Sequence, residues 1–173
     1  ELPNQDAILW TQNTNASLPL VLAVADGHGS EKYFRSFVGA QLAVQAANKL
    51  MYKFAEEASH QSLSTIKLNT PLLPLEIGSM WKTLVEHHWN ENPFTEKETE
   101  WLHNKANEEI AKTIQANPLI PYGTTLLAAL LTETFIFYCQ LGSGDILNVS
   151  VTGEISEPVP ADERNFANQT TSL

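Results

Sequence analysis

Residues 18–30 read LPLVLAVADGHGS. Leu18 to Ala25 is a short, unbroken apolar run rich in Val and Leu, and Asp26-Gly27-His28-Gly29 stops it at once. That pattern predicts a buried strand delivering a tight turn. Ser30 then stands where a helix N-cap belongs, with Glu31 in the first turn. Phe34, Phe37, Val38, Leu42, Leu50, Met51 and Phe54 follow at helical spacing, which predicts one helix to about Ala58. A carboxylate at such a junction is held on a rigid element beside a glycine that lets backbone approach a ligand. The position suits a hard cation bound by carboxylate and carbonyl oxygens. The same residues also make an ordinary strand-to-helix turn, with Asp and Gly chosen for turn geometry. His28 is harder to assign to packing, because its glycine neighbours give it no shelter.

Toward the N-terminus, Asn4-Gln5-Asp6-Ala7 precedes Ile8-Leu9-Trp10. If residues 7–10 and 18–25 are neighbouring antiparallel strands, Asp6 lies at the same end of the sheet as Asp26, because a hairpin returns its end beside its start. Two carboxylates then share one centre. Toward the C-terminus, residues 59–74 carry Ser, Thr, Asn and two prolines and read as a loop. A helix is predicted from about Leu75 to Trp89, ended by Asn92-Pro93. Thr95 with Glu98 has the capping-box spacing and opens a helix to about Ala116. Beyond Pro121, residues 124–131 and 134–141 read as a hairpin, with Phe135, Phe137, Cys139 and Leu141 on one face. Gly142-Ser143-Gly144-Asp145 makes a turn, and residues 146–151 read as a further strand. Strand, long helices and then a run of strands is an α+β order.

The 173 residues, 43% hydrophobic and 17% charged, are enough for one domain with a real core. Twenty acids against ten Lys and Arg give a net charge of −10, which repels phosphate backbones and anionic lipids, so neither nucleic acid nor a membrane surface is an expected partner. Only Asp6, Asp26, Asp145 and Asp162 are aspartates; most of the Glu lie on predicted helix surfaces, Glu96, Glu98, Glu100, Glu108 and Glu109 among them as a solvated face. The charge as a whole is therefore not evidence for metal. The single cysteine, Cys139, excludes an intrachain disulfide and a multi-cysteine zinc site. It reads as core, and a reducing cytoplasm is the simplest setting. His87, His88 and His103 with Glu91 lack zinc-ligand spacing and read as exposed helix histidines.

Four motifs, in order along nearly the whole chain, carry a family resemblance: Asn4-Gln5-Asp6-Ala7, Val24-Ala25-Asp26-Gly27-His28-Gly29, Tyr122-Gly123-Thr124-Thr125-Leu126 and Gly142-Ser143-Gly144-Asp145-Ile146. Together they resemble the metal-dependent serine/threonine phosphatases of the protein phosphatase 2C family. The resemblance implies a two-sheet β-sandwich flanked by helices, in four αββα layers, with a Mg²⁺ or Mn²⁺ pair at one end. It implies that Asp26 bridges the metals, that Gly27 offers a backbone carbonyl to one of them, and that Asp6 acts on metal-bound water. His28 matches the histidine that protonates the leaving alkoxide. The implied activity is hydrolysis of phosphoserine and phosphothreonine in a phosphoprotein substrate by a metal-activated water.

The chain departs from the family pattern at Gln5, where many members have Glu, so a neutral amide replaces a carboxylate. It has no second Asp-Gly, no Asp after Asp162, and no basic residue ahead of the first acidic motif; its arginines are Arg35 and Arg164. Residues 166–173 resemble sequence lying shortly before the missing second motif. The expectation is one phosphatase-like domain over residues 1–173, truncated at both ends, with a helical insert at residues 59–118 and a two-metal centre partly missing. This fragment itself is then weak or inactive even if its parent is active. The alternative is a catalytically inactive, phosphatase-like binding or regulatory module.

Overall fold

A computed structural model describes residues 4–15, 17–160 and 172–173. The chain is a mixed helix and sheet protein built on a four-stranded antiparallel sheet of order β1-β2-β3-β4. The strands are β1 (Asp6–Gln12), β2 (Leu20–Asp26), β3 (Leu126–Leu131) and β4 (Ile136–Leu141). The expected hairpin of the first two strands is present, and its register sets Asp6 directly opposite Asp26.

Period-2 alternation divides the sheet into two unlike faces. Val21, Ala23, Ala25, Leu126, Ala128, Leu130 and Cys139 are buried on the inner face. Helix α1 (Ser36–Ala58) lies across β1, β2 and β3 there, and α3 (Leu73–Glu91) packs on α1. Close approach is possible because the contact residues are small: Ala40, Ala43, Ala46 and Ala47 of α1 share one buried core with Ala23, Ala25 and Ala128 of the sheet. At Gly39 the 3₁₀ turn Ile120–Tyr122 comes so near that a Cβ would lie 1.7 Å from the Tyr122 carbonyl oxygen. Only glycine fits. Trp81 closes the α1–α3 contact by donating its indole N–H to the Gly39 carbonyl at 3.0 Å.

The outer face is apolar and open. Ile8 is 70% exposed, Trp10 63%, Leu22 44% and Val24 43%. The run at residues 18–25 is thus buried along one face only, which corrects the expectation of a strand buried throughout. The described residues contain this one layer of sheet, and a separate two-stranded hairpin of β5 (Asn148–Val149) and β6 (Ile155–Ser156) replaces the longer strand expected at 146–151.

The helices differ from the sequence reading at three places. Ser30 makes no side-chain cap; a single 3₁₀ turn, Glu31–Tyr33, follows it, and α1 starts only at Ser36. Residues 59–74 are largely helical, with α2 (Leu63–Asn69) capped by Ser62 and a 3₁₀ turn at Thr70–Leu72. Pro71 and Pro74 fall in the first turns of the elements they enter, where a missing N–H costs nothing. The helix expected at 95–116 is two: α4 (Glu96–Asn104), with the predicted Thr95–Glu98 capping box, and α5 (Glu108–Ala116), capped by Asn107. The segment 59–118 is also part of the core, since α3 supplies Leu73, Ile77, Trp81 and Val85 to it. No helix among the described residues is long and apolar enough to cross a membrane. Of the C-terminal residues 166–173 only Ser172 and Leu173 are described, and Asp162 and Arg164 lie outside the described residues.

Candidate functional site

Asp6 and Asp26 are Cα partners at the end of the β1–β2 ladder, both on the outer face. They line a cleft of about 560 Å³ together with Asn4, Thr125 and Asp145. Partial burial first, then repulsion from Asp6 and a hydrogen bond with its carboxyl, raise the Asp26 carboxyl above the ordinary value. His28 offsets this only in part, and two acids in contact are what a cation would relieve.

The backbone of Asp26 is fixed from the opposite strand. Its N–H donates to Thr125 Oγ1 at 3.0 Å, while its carbonyl accepts from the Thr125 N–H at 2.9 Å and from Thr124 Oγ1 at 2.9 Å. This is the physical role of Gly123-Thr124-Thr125, which the sequence reading matched by resemblance alone. Gly27 sits where a Cβ would lie 2.8 Å from the carbonyl oxygens of both Gln5 and Ser36, and its N–H donates to the Gln5 carbonyl at 3.1 Å. Among the described residues its own carbonyl receives no hydrogen bond.

His28 is half-buried at the start of the turn. Its N–H donates to the Gly123 carbonyl at 3.1 Å, and its ring lies 4.7 Å from that of Tyr33, centroid to centroid. Burial pulls the imidazolium below its usual range; Asp26 pulls it back up and Lys32 pushes it further down. The His28 carbonyl accepts from Ser36 Oγ at 3.0 Å and from Gln5 Nε2 at 3.2 Å, and Gln5 Nε2 also donates to Ser36 Oγ at 2.7 Å. Gln5 and Ser36 were not singled out from sequence as turn-holding residues. The amide at position 5 does what a carboxylate could not, because it donates to a carbonyl.

Two expectations change, for Glu98 as part of a solvated face and for His88 as an exposed histidine. Arg35 is buried, 5% exposed, and bound to Glu98, so neither belongs to a solvated surface. His88 is half-buried with Nδ1 2.9 Å from the Tyr122 hydroxyl, whereas His87 faces Glu91 on the exposed side. Cys139 is core, as expected, and burial pushes its thiol up to about 11, out of reach of nucleophilic chemistry at neutral pH.

A family model described as protein phosphatase 2C matches residues 1–173. The chain belongs to the protein phosphatase 2C family. No curated protein matches it. The family is one of protein phosphatases, hydrolases that generally use Mg²⁺ or Mn²⁺. The donors that this protein phosphatase 2C chain brings together in the cleft are hard oxygens, the carboxylates of Asp6 and Asp26, a pair that fits such a cation, while Gly27 is buried next to Asp26 and does not line the cleft. Among the described residues no group of three or more His, Cys, Asp or Glu stands close enough to hold a metal ion by itself. Asp145 shares the cleft without joining the pair, and the signal that could have singled it out was its place in a Gly-rich turn after β4.

Proposed function

We propose that this protein is a metal-dependent serine/threonine phosphatase that acts on phosphoserine and phosphothreonine in phosphoprotein substrates. The reading is carried by the register that sets Asp6 opposite Asp26 in an open cleft, with His28 two residues further on. Asp6 and Asp26 would hold Mg²⁺ or Mn²⁺. The cation would supply activation of the attacking water and neutralisation of charge on the phosphoryl oxygens.

The chain's own residues do the rest. Asp6, on the strand edge and open to solvent, accepts the proton of the attacking water. His28 delivers a proton to the departing alkoxide oxygen, which is otherwise a poor leaving group. Its tendency to rest neutral means that the approach of an anionic phosphoester, which favours the imidazolium, arms it in the complex. Thr124 and Thr125 keep Asp26 from shifting as charge develops.

The same reading extends to architecture and setting. The apolar outer face is the natural seat of a second β layer, completing the αββα sandwich, and the one free thiol suits a reducing cytoplasm. One observation favours a second reading, a binding or regulatory module without catalysis: so few metal donors converge among the described residues. The 173-residue chain is accordingly expected to bind metal weakly and turn over slowly.

The test is an assay with Mn²⁺ and a phosphopeptide panel, run beside Asp26→Asn, together with calorimetric Mn²⁺ titration. Metal-dependent turnover lost in Asp26→Asn supports the phosphatase. Undiminished turnover in the variant sinks the assignment of Asp26, and a folded chain with neither turnover nor Mn²⁺ binding supports the module. Tight two-site binding would contradict the expected weakness.

A further inference from the structure

We propose that Arg35 is a positioning residue: its ion pair with Glu98 fastens the turn that carries His28 to the helices of segment 59–118. The proposal rests on the phosphatase reading for its kinetic consequence, and on packing alone for its mechanical one.

All five guanidinium N–H groups are used. Nε donates to Glu98 Oε1 at 2.7 Å and Nη2 to Glu98 Oε2 at 2.8 Å, the bidentate fork that only arginine can form. Nη1 donates to the Asn92 carbonyl at 2.6 Å and to the Tyr122 hydroxyl at 2.7 Å, and Nη2 to the Pro93 carbonyl at 3.0 Å. The plane lies 5.0 Å from the centre of the Phe94 ring. One side chain thus ties together the C-terminal end of α3, the first turn of α4 and the 3₁₀ turn that leads into Gly123-Thr124-Thr125. With every donor occupied, Arg35 has none left for a substrate phosphate.

The next residue points the other way. Ser36 Oγ donates to the His28 carbonyl, and Gln5 braces both. The Arg35 N–H donates to the Pro121 carbonyl at 3.0 Å, two residues ahead of the Gly123 carbonyl that receives the His28 N–H. Arg35 and Ser36 therefore form a two-residue bridge, anchored outward on α3 and α4 and inward on the turn. A buried ion pair is a poor source of net stability, since an apolar pair of the same volume packs as well; what five directed bonds add is a single position. Glu98 is shared, because Oε2 also accepts from the Thr95 N–H and hydroxyl of the capping box. The start of α4 and the bridge read the same carboxylate.

Amide hydrogen exchange on the full chain tests this with Arg35→Lys, Glu98→Gln and, as a control for general loosening of the core, Val85→Ala. The hydrogen-bonded amides of Gly27, His28 and Tyr33 should exchange about tenfold faster, relative to those of β3, in both latch variants. In Val85→Ala all of these should rise together. With Mn²⁺ and a small phosphoester, kcat should fall about tenfold in Glu98→Gln while KM stays within about twofold. Turn amides that accelerate in Glu98→Gln only in step with β3 would overturn the proposal. If Arg35→Lys does not fold, Glu98→Gln decides alone. If the unaltered protein hydrolyses no phosphoester, the functional reading fails, and the exchange comparison still decides the latch.

Discussion

Asp6 and Asp26 stand opposite each other across β1 and β2, and their carboxyls meet at the open end of a largely apolar sheet face. A carboxyl raised in the folded state holds its proton more tightly there than when unfolded. Without metal, the protein should therefore lose stability as pH rises from the ordinary value of 3.8 through the raised one. The loss is expected to stay below about 1 kcal/mol, because solvent reaches the pair. Asp26→Asn should abolish it, and Mg²⁺ or Mn²⁺ should reverse it in the unaltered protein. Urea denaturation in EDTA across this pH range measures the effect; identical profiles for the protein and its Asp26→Asn variant would exclude it.

The outer sheet face sets a second expectation. Ile8, Trp10, Leu22 and Val24 form one contiguous patch, because Ile8 pairs with Val24 and Trp10 with Leu22 in register. A patch of this kind on an isolated chain binds apolar dyes and drives association. Replacing Ile8 and Trp10 together by Thr keeps β-compatible residues, and should lower dye binding and raise the concentration at which light scattering detects oligomers. Unchanged scattering would mean that another surface governs association.

What the sequence makes legible follows from which physics is local. The hairpin that brings Asp6 to Asp26 is encoded in two apolar segments and an Asp-Gly stop, so the heart of the candidate site can be read directly. The Thr95–Glu98 box is equally local, but the second duty of Glu98, holding Arg35 from 63 residues away, leaves no trace in spacing. The same holds for Gln5 and Ser36, which meet at the His28 carbonyl only after the chain has folded. Pro71 and Pro74 mislead for a different reason. A proline signals a break in a helix interior and a start in its first turn, and composition alone does not say which applies. The split at Asn107 was readable, since a capping residue followed by Glu108 and Glu109 is a start signal.

Two glycines in helices should respond to alanine with opposite signs. At Gly39 the added methyl would meet the backbone of Tyr122, with the carbonyl oxygen at 1.7 Å and the carbonyl carbon at 2.7 Å. Neither can swing aside as a side-chain end would, so α1 must lift from the 3₁₀ turn, at a cost of about 3 kcal/mol or more. At Gly78 in α3 the nearest atom is Leu173 Cδ2 at 3.8 Å, an ordinary contact. Alanine there should stabilise by about 0.5–1 kcal/mol through helix propensity. Thermal unfolding of the two variants checks the signs, and a neutral Gly39→Ala would mean that α1 docks elsewhere.

Acid should weaken the protein through the Arg35 network, opposite in sign to the Asp6–Asp26 pair. Burial alone would raise the Glu98 carboxyl, but hydrogen bonds from Arg35 and Thr95 outweigh it and hold the group below its ordinary 4.5. Its contribution is complete above that value and fades as pH falls through the lowered one. His88 adds a second limb. Burial first, and then the Arg35 charge, pull its imidazolium below 6.5, so the fold favours the neutral ring and loses stability as pH falls below 6.5 toward the lowered value. Glu98→Gln should remove the lower limb and cost about 2 kcal/mol near neutral pH, less than for a fully buried pair because the Glu98 side chain is 21% exposed. His88→Gln should remove the upper limb and leave the lower. Denaturation curves against pH for the two variants separate the limbs, and a Glu98→Gln profile that still steepens below pH 4.5 would place the acid-sensitive group elsewhere.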